Sequence, residues 1–166
     1  MALTKQVKQG IPFKQGFYTP INPDKYIGDK SQIFYRSSWE RKFMVYIDEN
    51  PKVLNWNSEG LKIPYLDFDN KKYNYYPDFW LKVKNELGEI EEFIVEIKPY
   101  AQTQKPLLEG RKTQNKMKKF VYDSRTYLKN VAKWASVRKM CDEHRNSGKR
   151  NIKFWLITEK NLDLFK

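Results

Sequence analysis

Two runs of residues with strand-like alternation, Tyr73–Val83 and Ile90–Lys98, flank the turn-forming segment Asn85–Glu89, which contains Gly88. Two such runs across a short polar loop predict an antiparallel hairpin. Centring its turn on Leu87 opposes Phe79 to Val95 and Leu81 to Phe93 on one apolar face. The other face then carries Asp78 opposite Glu96, Trp80 opposite Ile94 and Lys82 opposite Glu92, with Lys98 following Glu96. A slip of one residue would put the apolar sets on different faces, so the hydrophobic pattern itself argues for an even sum of opposed positions.

That register sets two carboxylates side by side with a lysine beyond them. Like charges directly opposed in a sheet repel, and a cation between them would reverse the sign. Asp78, one oxygen of Glu96 and the backbone carbonyl of Ile97 form a candidate ligand set for one hard ion, Mg2+ or Mn2+. Lys98 beside it could orient a water or stabilise developing negative charge. A solvated strand face on which Lys98 merely offsets Glu96 would read the same way. The single Cys141 and single His144 exclude an internal disulfide and a Cys/His zinc site.

Around the hairpin the chain reads as a mixed α/β sandwich, a sheet with helices packed on it. Residues 1–34 carry Gly10, Pro12, Gly16, Pro20, Pro23 and Gly28 without sustained periodicity, as expected of a mildly basic arm ordered only against the body or a partner. Residues 35–166 form one domain. Trp39, Phe43, Tyr46 and Ile47 recur at helical spacing and predict a helix over 37–49, stopped by Asn50-Pro51. Val53–Trp56 is extended, and Leu61–Tyr65 is a strand whose Pro64 suggests an edge or a bulge. Asp67–Asn70 is a turn. Two basic helices are expected near 109–122 and 124–146, then an apolar strand over 152–158.

Charge is concentrated in that helical part. The chain has 32 Lys and Arg against 20 Asp and Glu, a net charge of +12. Residues 105–150 hold 14 of those basic residues and only four of the acidic ones, so this segment carries +10. Such a footprint fits a polyanion, and DNA is the expected partner; a solvated lysine-rich surface is the plainer alternative. Lys112, Lys116, Lys119, Arg125 and Lys129 are the candidate backbone contacts. The segment lacks the wide apolar face of a membrane-surface helix. No apolar run approaches the roughly 20 residues needed to span a bilayer, and the N-terminus lacks the core of a signal peptide.

Pro77-Asp78 and then Glu96-x-Lys98 on the next strand resembles the PD-(D/E)xK nuclease signature. The order of helix, three strands, helices and strand is also that superfamily's core. Further likeness runs through Ser37-x-x-Glu40-Arg41, Asn50-Pro51-x-Val53, Ile63-Pro64-Tyr65, Tyr76-x-Asp78-Phe79 and Val95-Glu96-x-Lys98. These are similar to the N-terminal domain of Tn7-type transposon endonucleases. The run Tyr35-Arg36-Ser37-x-Trp39-Glu40-Arg41-Lys42-Phe43, with the stretch from there to Lys98, is closer to the head completion nucleases of T-even-like tailed phages. The resemblance implies a restriction-endonuclease-like fold and a metal-dependent DNA endonuclease acting in head completion and DNA packaging. Asp78 and Glu96 would be metal ligands, Lys98 the catalytic lysine, and Glu40 a helix acid that positions metal or water and is a further candidate ligand. Ser37-x-x-Glu40 is equally a capping box. Head or portal proteins and a second copy of the chain are candidate partners, and the host-cell cytoplasm or the virion the implied location. Gln114 and Lys116 fall where such folds often carry accessory polar residues, although a solvated face accounts for them; His144 reads as a surface residue, and Trp39, Trp80, Trp134 and Trp155 as core. A non-enzymatic plug of a DNA-filled head and a transposition subunit are the rival readings.

Overall fold

The computed structural model describes residues 14–161. A short N-terminal hairpin, β1 (Gly16–Phe17) with β2 (Phe34–Tyr35), encloses a single 3-10 turn at Pro23–Lys25. Helix α1 (Ser38–Glu49) comes next, then β3 (Val53–Ser58), β4 (Ile63–Leu66), β5 (Lys72–Tyr75), β6 (Phe79–Lys84) and β7 (Ile90–Ile97). After one helical turn, α2 (Tyr100–Thr103), the long helix α3 (Gln114–Asn146) leads to β8 (Ile152–Ile157). The main sheet has the order β3-β6-β7-β8, with β8 parallel to β7 and the other neighbours antiparallel. A parallel neighbour requires a crossover, which α2 and α3 supply. The result is a mixed sheet flanked by helices, a restriction-endonuclease-like fold.

The β6–β7 register is the one the alternation selects: Phe79 pairs with Val95, Trp80 with Ile94, Leu81 with Phe93 and Lys82 with Glu92. Each face of the sheet builds its own core. Phe79, Leu81, Val95 and Ile97 pack with Phe43, Met44 and Ile47 of α1. Ile94 and Ile152, with Trp80 beside them, pack with Val137 and Cys141 of α3 and with Ile63, Tyr65 and Tyr75 of the small β4–β5 sheet. A strand pair buried on both sides by helices is held in register from both sides.

Two expectations are corrected. The strand expected over 73–83 is two strands in two sheets: β5 pairs with β4, β6 with β3 and β7, and Tyr76-Pro77-Asp78 carries the chain between them. Pro77 has no N–H to give to a ladder, so it marks the crossing point. The two helices expected near 109–122 and 124–146 are one helix of 33 residues, about 50 Å long at 1.5 Å per residue. No glycine or proline interrupts it. Gly110 and Gly148, at φ +70° and +67°, lie just beyond its ends, and the Thr113 hydroxyl caps it by accepting from Lys116 N. Asp123, between the two expected helices, sits inside a helix that the surrounding residues propagate.

Within the expected arm, residues 14–34 lie against the body, with Tyr18, Tyr26 and Ile33 in the α1-side core; residues 1–13 fall outside the described part. The anchor is Asp48, fully buried near the end of α1. Its carboxylate accepts from the Tyr18 hydroxyl (2.9 Å), Ile21 N (2.6 Å) and Asn22 N (3.2 Å). Lys25 Nζ closes the latch on the carbonyls of Asp48 and Asn50 at 2.8 and 2.9 Å. Asp48→Ala removes the acceptor of the buried Tyr18 hydroxyl and of the part-buried Ile21 and Asn22 amides, and a buried group left unsatisfied costs about 1–3 kcal/mol. The substitution is expected to destabilise by on the order of 3 kcal/mol, lowering the melting temperature by about 6–12 °C. Thermal denaturation checks this, and a fall of less than a degree or two would show that the latch is not a stabilising contact.

Candidate active site

Glu96 is the residue on which the site is built. It stands next to last in β7, paired on one side with Leu156 of β8, and its side chain is 2% exposed on the α3 side of the sheet. A carboxylate so buried has to be partnered. Tyr75, the last residue of β5, donates a hydrogen bond from its hydroxyl to Glu96 Oε2, and Lys98 Nζ lies 2.9 Å from Oε1. Burial and the Glu96 charge together push the Tyr75 phenol far above its ordinary pKa, so it remains a donor.

Asp78 meets Glu96 differently from the expected ladder pair. It lies one residue before β6, where the chain leaves the β5 crossing, and its Oδ2 accepts from Ile97 N at 2.7 Å. Its own carbonyl accepts from Glu59 N at 3.0 Å. The backbone on both sides therefore fixes Asp78 at the end of β7. Burial, then the negative charge of Glu96, raise its pKa well above the aspartate range; the Lys98 charge and the Ile97 amide oppose that without cancelling it. For Lys98, burial works against the ammonium, but Glu96, Asp78 and more weakly Glu40 outweigh it and its pKa is raised.

Glu40 enters from α1. Ser37 caps the helix by accepting from Glu40 N at 3.1 Å and donates to Glu40 Oε1 at 2.9 Å, while Oε2 accepts from Arg36 N at 2.8 Å. The capping reading thus describes contacts that exist. Glu40 also lines, with Lys98, Trp39, Pro99, Gln102 and Arg36, a cavity of about 470 Å³ beside the carboxylate pair, so the two descriptions are compatible. Asp78, Glu96, Lys98 and Glu40 converge on one end of the sheet. Among the described residues, no three His, Cys, Asp or Glu side chains are close enough to form a metal cage by themselves.

The residues chosen for DNA do not share one face. Lys112 precedes the Thr113 cap and lies outside the helix. Lys116 and Lys119 are exposed, Lys119 in an ion pair with Asp123. At 100° per residue, Arg125 and Lys129 point to a different side of α3 from Lys116 and Lys119. Gln114 is exposed at the helix start, and His144 is half-buried in its last turn. Trp134 is buried, whereas Trp39, Trp80 and Trp155 are partly buried against the two cores. Tyr75 and Lys133 were not singled out in the sequence. Tyr75 belonged to an aromatic-rich run, and Lys133 was one lysine among many.

With this geometry in place, comparison with known proteins decides the family. Residues 50–159 match the model of the TnsA-like endonuclease N-terminal domain. The chain belongs to this endonuclease family. The match covers Asp78, Glu96, Lys98 and α3, and leaves α1 with Glu40 outside. The head completion nuclease of Enterobacteria phage T4 is 36% identical over 148 residues, which is 89% of this chain and 92% of that protein. No solved structure matches the chain. Among the described residues, no helix is long and apolar enough to cross a membrane.

The raised Asp78 pKa gives a pH-dependent prediction for this endonuclease. Below the ordinary aspartate pKa both folded and unfolded states hold the proton, and the group carries no penalty. As pH rises towards the folded-state value, the unfolded chain releases the proton first, so stability is lost. Asp78→Asn keeps an acceptor for Ile97 N and removes that loss. In chelator, the variant is expected to melt higher than the parent at pH 8 and to show little difference at pH 4. Melting curves that fail to diverge with rising pH would remove the charge conflict.

Proposed function

We propose that this endonuclease hydrolyses DNA phosphodiester bonds with a divalent cation, and that it acts in the completion of phage heads in the host cytoplasm. The observation that carries the reading is the convergence of Asp78, Glu96 and Lys98 at one end of the sheet. The place in head completion rests on the 36% identity to the phage T4 protein of that name. Head or portal proteins are the proposed protein partners.

The donor set suits a hard cation. Asp78 and Glu96 offer oxygen donors in an electrostatic conflict that Lys98 relieves only in part, and Glu40 lines a cavity together with Ile97 and Lys98. Two carboxylates leave the remaining positions to the Ile97 carbonyl, water and substrate phosphate. Magnesium or manganese matches this chemistry. When bound, such an ion supplies charge neutralisation and Lewis-acid polarisation at the scissile phosphate.

The protein's own groups have distinct parts. Tyr75 holds Glu96 in a single orientation. Ile97 N does the same for Asp78. Lys98, beside Glu96, is placed to orient a water or to serve as a charged donor to the phosphate oxygens as negative charge develops. Lys112, Lys116, Lys119, Arg125 and Lys129 are proposed contacts to the DNA backbone, which would make affinity fall steeply with salt.

The test is incubation of the purified protein with supercoiled plasmid and linear duplex, with Mg2+, with Mn2+ and in EDTA. Nicked or linear products are expected with metal and none in EDTA. Lys98→Ala should reduce the cleavage rate by about 100-fold or more, by analogy with the loss of one transition-state donor, and leave duplex binding nearly unchanged. Cleavage by Lys98→Ala at the parental rate would take this lysine out of the mechanism, and metal-independent binding without cleavage by the parent would favour a DNA-capping role.

A further inference from the structure

Helix α3 carries a second basic feature that leads into the site. Lys118, Arg125, Lys129 and Lys133 are spaced at intervals of seven, four and four residues, so their side chains form one ridge along the helix. Tyr122 fills the gap between the first two and is 72% exposed. Lys118, Arg125 and Lys129 are exposed and Lys133 is half-buried. The ridge therefore starts on the solvated part of α3 and ends where the helix packs on the β4–β5 sheet.

Its inner end meets the catalytic pair through one ring. Lys133 Nζ lies over the Tyr75 ring at 5.5 Å and over the Tyr65 ring at 6.0 Å, and the Tyr75 hydroxyl is bonded to Glu96. Neighbouring lysines have carboxylate partners: Lys98 has Glu96, and Lys129 lies 4.0 Å from the buried Asp67. Among the described residues, no carboxylate lies within 4.0 Å of Lys133, whose charge faces two aromatic rings instead. Burial disfavours that ammonium, the more distant Glu96 only partly offsets this, and its pKa is lowered. An anion docking here would satisfy a cation that the fold has left partly desolvated.

Resting on the nuclease reading above, we propose that the Lys118–Lys133 ridge conducts a DNA phosphate backbone to the site, with Lys133 binding a phosphate adjacent to the scissile bond. Lys98 and Lys133 then divide the work. Lys98 is tied to Glu96 and acts where bonds change, while Lys133 places the strand. The competing role is packing alone, in which the lysine stem covers the two tyrosine rings.

Lys133→Gln and Lys133→Arg separate these roles in the full-length protein. Binding of a short labelled DNA duplex is measured by fluorescence anisotropy across a salt series in EDTA, and cleavage kinetics are measured with Mg2+. Loss of one phosphate contact should flatten the slope of log K against log salt by about 0.9. Lys133→Gln should also raise KM several-fold with kcat little changed, because a contact made equally in ground and transition states affects KM. Lys133→Arg should restore both. Independently of any variant, lysine acetylation of the parent protein should label Lys133 less when duplex is present. A parental slope and KM in Lys133→Gln, or equal defects in Gln and Arg variants accompanied by lower melting, would overturn the proposal, as would acetylation of Lys133 unaffected by DNA. Metal-dependent cleavage by the parent would leave the nuclease reading standing in each of those cases, whereas its absence would sink that reading together with the scissile-bond placement of Lys133, and the salt slope in EDTA would then test the ridge only as a DNA-binding row.

Discussion

The pairing of β7 on both of its edges fixes the geometry of this molecule. β6 holds it from one side in an antiparallel ladder and β8 from the other in a parallel one. Glu96 cannot move without breaking one of those ladders, and its side chain is forced into the interior on the α3 side. Everything near it answers to that burial. Tyr75 is delivered by the separate β4–β5 sheet, Lys98 reaches back from the end of the strand, and Asp78 is held against the Ile97 amide. A carboxylate in water would need none of these partners. One held in a sheet interior needs several, and supplying them draws three elements to one end of the sheet.

The same burial creates the conflict that the chemistry can use. Two carboxylates compete for one poorly solvated space, and a single lysine does not balance them. Asp78 consequently resists ionisation in the protein alone. A cation that enters this space is stabilised by both carboxylates and relieves their repulsion. The apolar half of each core maintains the arrangement. Phe79, Val95 and Ile97 pack on α1, while Ile94 packs on α3, so neither face of the strand is free to relax.

The long helix is packed into the core along only part of its length. Asn130, Trp134, Val137 and Cys141 form its buried stripe and belong to the half nearer β8. None of its buried residues lies in the first half, between Gln114 and Lys129, where the basic ridge begins. A helix firmly packed at one end and solvated at the other projects a row of charges in a fixed direction. On the opposite face of the sheet, Asp48 latches residues 18–25 to α1. The Glu40 end of that helix is thereby seated against the cavity by contacts at both of its termini.

The sequence indicated the β6–β7 register, because the turn centred on Leu87 sets the pairing and the period-two pattern excludes a slip of one residue. It therefore determined that Glu96 and Lys98 share a face. It also located α1 and its Ser37 cap, the Asp67–Asn70 turn, β8 and the concentration of positive charge. Tertiary structure decided the rest, because those features depend on residues distant in the chain. Tyr76-Pro77-Asp78 became a crossing between sheets when β4 claimed β5 as its partner, which no local pattern reveals. Continuous helical propensity across Asp123-Ser124, with no glycine or proline to stop it, made one helix of two expected ones, with Lys116 and Lys119 on a different side of it from Arg125 and Lys129. Tyr75 acquired its place beside Glu96, and Lys133 its place over the Tyr75 ring, only when the small sheet and α3 were packed over the end of β7. A sequence pattern records which way a side chain points along its own element, and only packing brings side chains from separate elements to one carboxylate.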